Sequence, residues 1–350
     1  MAIESPAVRE SATATFPYAL LRAGYPYYTT LGMRRVTTAC MDMALDSKRQ
    51  LFVICRDDGQ GGLIRRTNWD DEDLGTISGA GTEPGKLMWP VQIVCDSADV
   101  LYVSDEGANR ISMFKTDGTF LGVWGEAGTG EGQLNRPSGI ALDADENLWV
   151  VDTQNHRVQK FTKDGKFLSS FGSQGSADGQ LDQPWGIAID KAGDIYIGDW
   201  GNNRVQKFSP DGTHLLSMGR EGSGDGELKR PAGVAVDAHG DIYVADRGNH
   251  RVCLFDQTGR YVEKFIGDAT LSNSGRKYIM ANPKVLRGRE MTTLEIQKRF
   301  RGPASVRIEG DLMYVPDFGS HRIQVYKKEA YVLTEEDIWP EQNHPFLYNV

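Results

Sequence analysis

Four stretches of this chain repeat one another at a fixed interval, and that interval restricts the fold more than any single residue does. WPVQIVCDSADVLYVSDEGANRISMFKTDG begins at Trp89, RPSGIALDADENLWVVDTQNHRVQKFTKDG at Arg136, QPWGIAIDKAGDIYIGDWGNNRVQKFSPDG at Gln183 and RPAGVAVDAHGDIYVADRGNHRVCLFDQTG at Arg230, so the starts are 47 residues apart. Asp105, Asp152, Asp199 and Asp246 keep the same step, and Asp317 follows 71 residues later. A degenerate copy, CMDMALDSKRQLFVICRDDGQGGLIRRT, places Cys55 where the others have Asp. Six copies result.

Inside a copy, SGIALD and LWVVD read as short strands joined by a turn of about four residues. RVQKF then runs into Asp164-Gly165, as its equivalents run into Asp117-Gly118 and Asp211-Gly212, the turn chemistry of a tight hairpin. A fourth strand, KFLSSFG, leads through a Gly-rich loop to the next copy. A four-stranded unit of this size cannot bury both faces alone, and stacking six of them around an axis solves the problem. The expected fold is all-β, a six-bladed β-propeller of four-stranded antiparallel blades with one long insertion after blade 5.

The run from Pro through G-I-A-x-D and I-Y-V-x-D to N-x-R-V-x-x-F resembles the NHL repeat family, over roughly residues 37 to 328. The resemblance implies the propeller. For function it implies several classes, since similar propellers act as protein-binding platforms, RNA readers and lyases. Peptidyl-hydroxyglycine amidating lyases also resemble this fold and hold zinc through histidines near the start of inner strands. The matching positions here are Ser138, Trp185 and Ala232.

Composition narrows the classes further. With 39 Lys and Arg against 48 Asp and Glu the net charge is −9, which argues against a broad nucleic-acid footprint. No apolar run approaches the roughly 18 residues of a membrane span, and the first residues do not read as a secretory signal, so a cytoplasmic location is the expectation. Four cysteines, at 40, 55, 95 and 253, are too scattered for a disulfide framework.

Residues that recur in every blade belong to the scaffold, so function is sought in the departures. Arg110, Arg157, Arg204, Arg251 and Arg322 each follow the strand-ending Asp by five residues and read as a ring of ion pairs. His156, His250 and His321 precede three of those arginines, where Asn109 and Asn203 stand in other blades. Three histidines on one rim are the metal candidates, for zinc or calcium. Two and four residues after the repeat proline the central blades carry Gly139, Gly186, Gly233 and Ala141, Ala188, Ala235. The corresponding places hold Asp42 in blade 1, Gln92 in blade 2, and Ser305 with Arg307 in blade 6. Charged residues where the repeat wants Gly and Ala are either an ion pair stitching the ring or a polar ligand site.

One residue past the strand-ending Asp, Trp200, Arg247 and Phe318 should project at the channel mouth, and Arg56 occupies that place in blade 1. Asp42, Arg307 and His321 are the catalytic candidates. Arg56, Gln92, Trp200, Arg247, His250, Ser305 and Phe318 are the substrate-binding ones. Together they suggest a small polar or anionic molecule, handled by a lyase or hydrolase. The alternative is a non-catalytic platform that grips a protein partner with its rim and insertion.

The insertion, residues 267–302, carries eight Lys and Arg against Asp268, Glu290 and Glu295. It reads as a basic lid or docking loop near Arg307, with a short helix in MTTLEIQKR. Residues 1–36 are expected to help close the ring, and residues 329–350 to supply a closing strand for blade 6 and a tail.

Overall fold

The computed structural model describes residues 19–33, 36–57, 61–282, 284 and 294–333. Each repeat forms one sheet of four antiparallel strands in sequential order from the axis outward. Blade 3 shows the pattern: Pro137–Leu142 is innermost, followed by Leu148–Asp152, Arg157–Phe161 and Phe167–Phe171. Its second strand is buried along its whole length because neighbouring blades cover both faces. The hydrophobic core therefore lies between blades, as where Trp149 and Val151 of blade 3 meet Ile187 and Ile197 of blade 4.

The Asp-Gly hairpins differ in detail from the sequence expectation. Only the glycines take positive φ, 102° at Gly118, 89° at Gly165 and 86° at Gly212. Gly165 N–H donates to Thr162 O at 2.9 Å, and the register shifts by one residue beside it. This is a type I turn closed by a glycine bulge rather than a two-residue turn.

Blade 6 is closed by the chain's beginning. Its strands are Arg307–Glu309, Leu312–Asp317, Arg322–Lys327 and, outermost, Tyr27–Leu31, with Leu31 opposite Ile323. Residues 329–350 were expected to provide that strand. Instead Glu329–Leu333 pairs antiparallel with Ala19–Gly24 as a two-stranded ribbon in a separate compact unit. Tyr27–Leu31 takes the blade edge because its Leu31 is buried in the cluster formed with Ile323 and Val325. The tail 334–350 and residues 1–18 lie outside the described residues.

The insertion is also placed differently from the expected lid. Its first residues pack on the third strand of blade 6, where Asp268 N–H donates to Gln324 Oε1 and Tyr326 Oη. A helix, Asn273–Met280, capped by Ser272, then docks on blade 1. Its Ser274 N–H donates to Asp71 Oδ2 at 2.9 Å, while Gly32 N–H donates to Oδ1 of the same carboxylate. The chain returns through a short helix, Leu294–Lys298, and no described part of it before Gly302 lines either end of the channel. Residues 283 and 285–293 lie outside the described residues. Among those described, no helix is long and apolar enough to cross a membrane.

Candidate functional site

Every inner strand begins at one mouth of the central channel, and every second strand ends there. Pro90 pairs with Asp105, Pro137 with Asp152, Pro184 with Asp199, Pro231 with Asp246, Pro303 with Asp317, and Cys40 with Cys55. One place beyond each pair the chain leaves the strands, and the couple of residues there overhangs the mouth. Around the ring these couples are Ala39 and Arg56, Trp89 and Glu106, Arg136 and Thr153, Gln183 and Trp200, Arg230 and Arg247, Gly302 and Phe318.

Ten of those residues, with Gln154 and Trp185, line a cavity of about 650 Å³, a size that suits a small organic ligand. Trp185 and Trp200 lie against each other with ring centroids 5.4 Å apart. Arginines stack on rim aromatics from neighbouring blades: Arg136 over Trp89, Arg230 over Trp200 and Arg247 over Phe318, at 5.8, 5.9 and 5.1 Å. Four arginines face one glutamate.

Glu106 is buried and has both oxygens occupied, one by Arg56 at 3.0 Å and the other by Arg136. Arg56 also donates to Pro90 O and Trp89 O. Arg247 is different. Among the described residues no carboxylate lies within ion-pair distance of it, and burial together with the nearby Arg56 charge lowers its pKa. A half-buried guanidinium facing another cation favours an anion beside it.

The other sequence candidates lie deeper or elsewhere. Asp42, 1% exposed, is held by Arg307, whose Nε donates to Oδ1 at 2.9 Å and whose Nη2 donates to Oδ2. Arg307 Nη2 also donates to Ile93 O, and Ile93 N–H donates to Asp42 Oδ2. This pair joins blades 6, 1 and 2. Gln92 Oε1 accepts from Ile140 N–H at 2.7 Å and so ties blade 2 to blade 3. Where the repeat has glycine the inner strands touch directly: a Cβ on Gly186 would lie 2.1 Å from Ala232 O.

Asp42, Gln92 and Ser305 border only about 10 Å³ of free space at the channel waist, room for no more than one water. Arg307 lines a smaller cavity of about 250 Å³ at the opposite end. The single polar site expected from Asp42, Gln92, Ser305 and Arg307 together with Arg56, Trp200, Arg247 and Phe318 is thus divided by a closed waist. Only the last four face the larger mouth.

The histidines do not converge. His156, His250 and His321 adopt the left-handed conformation, φ 52°, 55° and 56°, as Asn109 and Asn203 do. His156 Nδ1 accepts from Gln183 N–H, and His321 Nδ1 accepts from Ala39 N–H at 2.8 Å. Asn109 and Asn203 accept from Arg136 and Arg230 in the same way. These side chains link consecutive blades, and His250 stands beside Asp317 of blade 6. Among the described residues no three His, Cys, Asp or Glu are grouped to hold a metal, and the Nδ1 atoms of His156 and His321 are occupied by backbone N–H groups of the next blade. Cys55, buried, has its thiol pushed up to about 12, chiefly by desolvation, which makes it a structural thiol.

The expected Asp–Arg ring is present in part. Arg157, Arg204 and Arg251 each donate from Nε to the strand-ending Asp of their own blade, at 2.8, 2.9 and 2.7 Å. Arg110 instead donates to Thr82 O, Glu83 O and Lys86 O. Sequence reasoning missed Glu106, Trp89, Arg136 and Arg230. Their signal was positional, since each lies one residue outside the Pro or Asp that starts or ends a strand.

Residues 134–161, 181–208 and 228–255 match the family model of the NHL repeat. Similar solved structures include a catalytically inactive virginiamycin B lyase from Staphylococcus aureus with quinupristin, at 12% identity over 90% of each chain and TM-score 0.55. A protein of unknown function from Bacteroides thetaiotaomicron is 15% identical over 87% of this chain and 72% of that one, TM-score 0.59. A nidogen/laminin complex is 20% identical over 65% and 80%, TM-score 0.52. At such identities the likeness concerns the fold. No curated protein matches the chain in sequence.

Proposed function

We propose that this six-bladed propeller of NHL repeats binds a small, flat anion at the channel mouth ringed by Arg56, Arg136, Arg230 and Arg247. The observation that carries the reading is the Arg247 guanidinium, desolvated and without a carboxylate of its own among the described residues, in a cavity walled by Trp185, Trp200 and Phe318. Binding without chemistry fits the lining better than a lyase or hydrolase. Both oxygens of Glu106 are already taken, and the Thr153 hydroxyl is engaged with Ser138 and Pro184 O. The lyase activity named for similar folds has no acid or base to rest on among these lining residues.

The test is quenching of tryptophan fluorescence by naphthoate, with uncharged naphthalenemethanol as the control. Naphthoate should bind at least about tenfold more tightly, the usual weight of a charge-assisted contact, and Arg247→Ala should remove the difference. Equal affinity for acid and alcohol would sink the reading.

A second reading, docking of an acidic protein partner on the insertion, is favoured by Met280 and Ile296, 69% and 62% exposed, near Arg276, Lys277 and Arg299 in sequence. Retention on immobilised polyglutamate that survives Arg276→Glu with Lys277→Glu would count against it.

A further inference from the structure

Blade 5 is the one blade whose couple at the larger mouth consists of two like charges. Pro231 pairs with Asp246, and Arg230 and Arg247 follow one place beyond that pair, where the chain leaves the strands: Arg230 is left-handed, φ 53°, and Arg247 opens a short 3-10 helix. Among the described residues neither guanidinium forms an ion pair, in contrast to Arg56 and Arg136, which share Glu106, although the Glu106 charge also acts on Arg247. The two side chains rest on aromatics of the two flanking blades, Arg230 on Trp200 and Arg247 on Phe318. Stacking leaves the guanidinium edges free to donate hydrogen bonds.

Two arginines of one blade, both lining the mouth and neither ion-paired among the described residues, match the charge of a phosphate monoester, which carries about −1.5 to −2 near neutral pH. Beside them the Trp185 and Trp200 pair offers flat apolar surface within the same cavity. Flat heteroaromatic rings stack on such indoles irrespective of sequence. Across the mouth, Gln154 and Gln183 supply amide donors and acceptors for the polar groups between ring and phosphate. We propose that the ligand class is a phosphate monoester bearing a flat aromatic ring, of the size of a mononucleotide, with the phosphate on Arg230 and Arg247 and the ring on Trp185 and Trp200.

This rests on the anion reading of the mouth, and the experiment separates the two. The full chain is titrated calorimetrically with adenosine monophosphate, adenosine, ribose phosphate and inorganic phosphate, and naphthoate is run alongside. Adenosine monophosphate should bind at least about tenfold more tightly than either adenosine or ribose phosphate, as loss of the charge-assisted contacts or of the stacked base each predicts. Arg230→Ala and Arg247→Ala should each weaken adenosine monophosphate by about tenfold and leave adenosine unchanged. Trp185→Leu should weaken adenosine and leave inorganic phosphate unchanged. Binding of naphthoate without adenosine monophosphate overturns the phosphate class and leaves the anion site standing. Failure of both ligands overturns both readings. Adenosine monophosphate binding no tighter than ribose phosphate removes the aromatic half of the proposal.

Discussion

Replacing Arg307 with alanine separates a seam residue from a ligand residue. Asp42 is 1% exposed, and without Arg307 it would keep only the Ile93 N–H. Removing one member of a buried pair costs about 3–5 kcal/mol. Arg307 is itself 20% exposed and borders the smaller, open mouth, so water can reach part of the carboxylate and the expected loss falls to roughly 2–3 kcal/mol. For a chain of 350 residues that is a fall in Tm of about 3–4 °C. Calorimetry and urea midpoints measure it. The double variant Asp42→Asn, Arg307→Met removes both charges and should recover more than about 1 kcal/mol relative to additive losses, since contacting partners couple by that much. Naphthoate binding should be unchanged, because the closed waist lies between the pair and the larger mouth. An Arg307→Ala protein that melts within about 1 °C of the parent but no longer binds naphthoate would refute this reasoning and return Arg307 to the ligand site.

Three further outcomes are expected. His321→Asn should leave the melting temperature nearly unchanged, because Asn109 and Asn203 make the same link from the same left-handed backbone, whereas His321→Ala should cost about 1–2 kcal/mol through an unmatched Ala39 N–H and a strained φ. Gly186→Ala should cost at least about 2 kcal/mol in urea unfolding, since a Cβ 2.1 Å from Ala232 O forces two inner strands apart. The thiols of Cys55, Cys95 and Cys253 are pushed up from 9.0 to about 12 by burial. The folded state keeps them protonated while the unfolded chain ionises, so their contribution to stability is whole below pH 9 and is lost progressively as pH rises from 9 towards 12. Urea midpoints across that range measure it, and Ellman's reagent at pH 8 should label the native protein slowly and the unfolded protein fully.

The repeat made the blades legible because each strand and turn recurs with its own residues. It also made four mouth residues legible: Arg56, Trp200, Arg247 and Phe318 share a register that the strand-ending Asp defines. What it concealed was depth. Positions two and four beyond the proline lie farther along the same inner strand, so Asp42 and Arg307 looked like neighbours of Trp200 although a closed waist separates them. The histidines misled for a different reason. His and Asn can both accept a backbone hydrogen bond from a left-handed position, and sequence displays the difference between the residues without the shared task. Arg136 and Arg230 escaped notice because the proline beside them drew attention to the positions that follow it.

The pairing of Tyr27–Leu31 with Arg322–Lys327 sets an order of events. Blades 1 to 5 are each made from consecutive residues and can fold as they emerge from the ribosome, with local contacts favouring speed. Blade 6 cannot. Its outer strand is synthesised first and must wait, unpartnered, until nearly the whole propeller has followed it. Until then Tyr27–Leu31 has no neighbour on either side, an open edge of the kind that recruits strands from other molecules. The first segment of the chain is in effect its last structural part, and the interval between its making and its docking is when this protein is most exposed to aggregation.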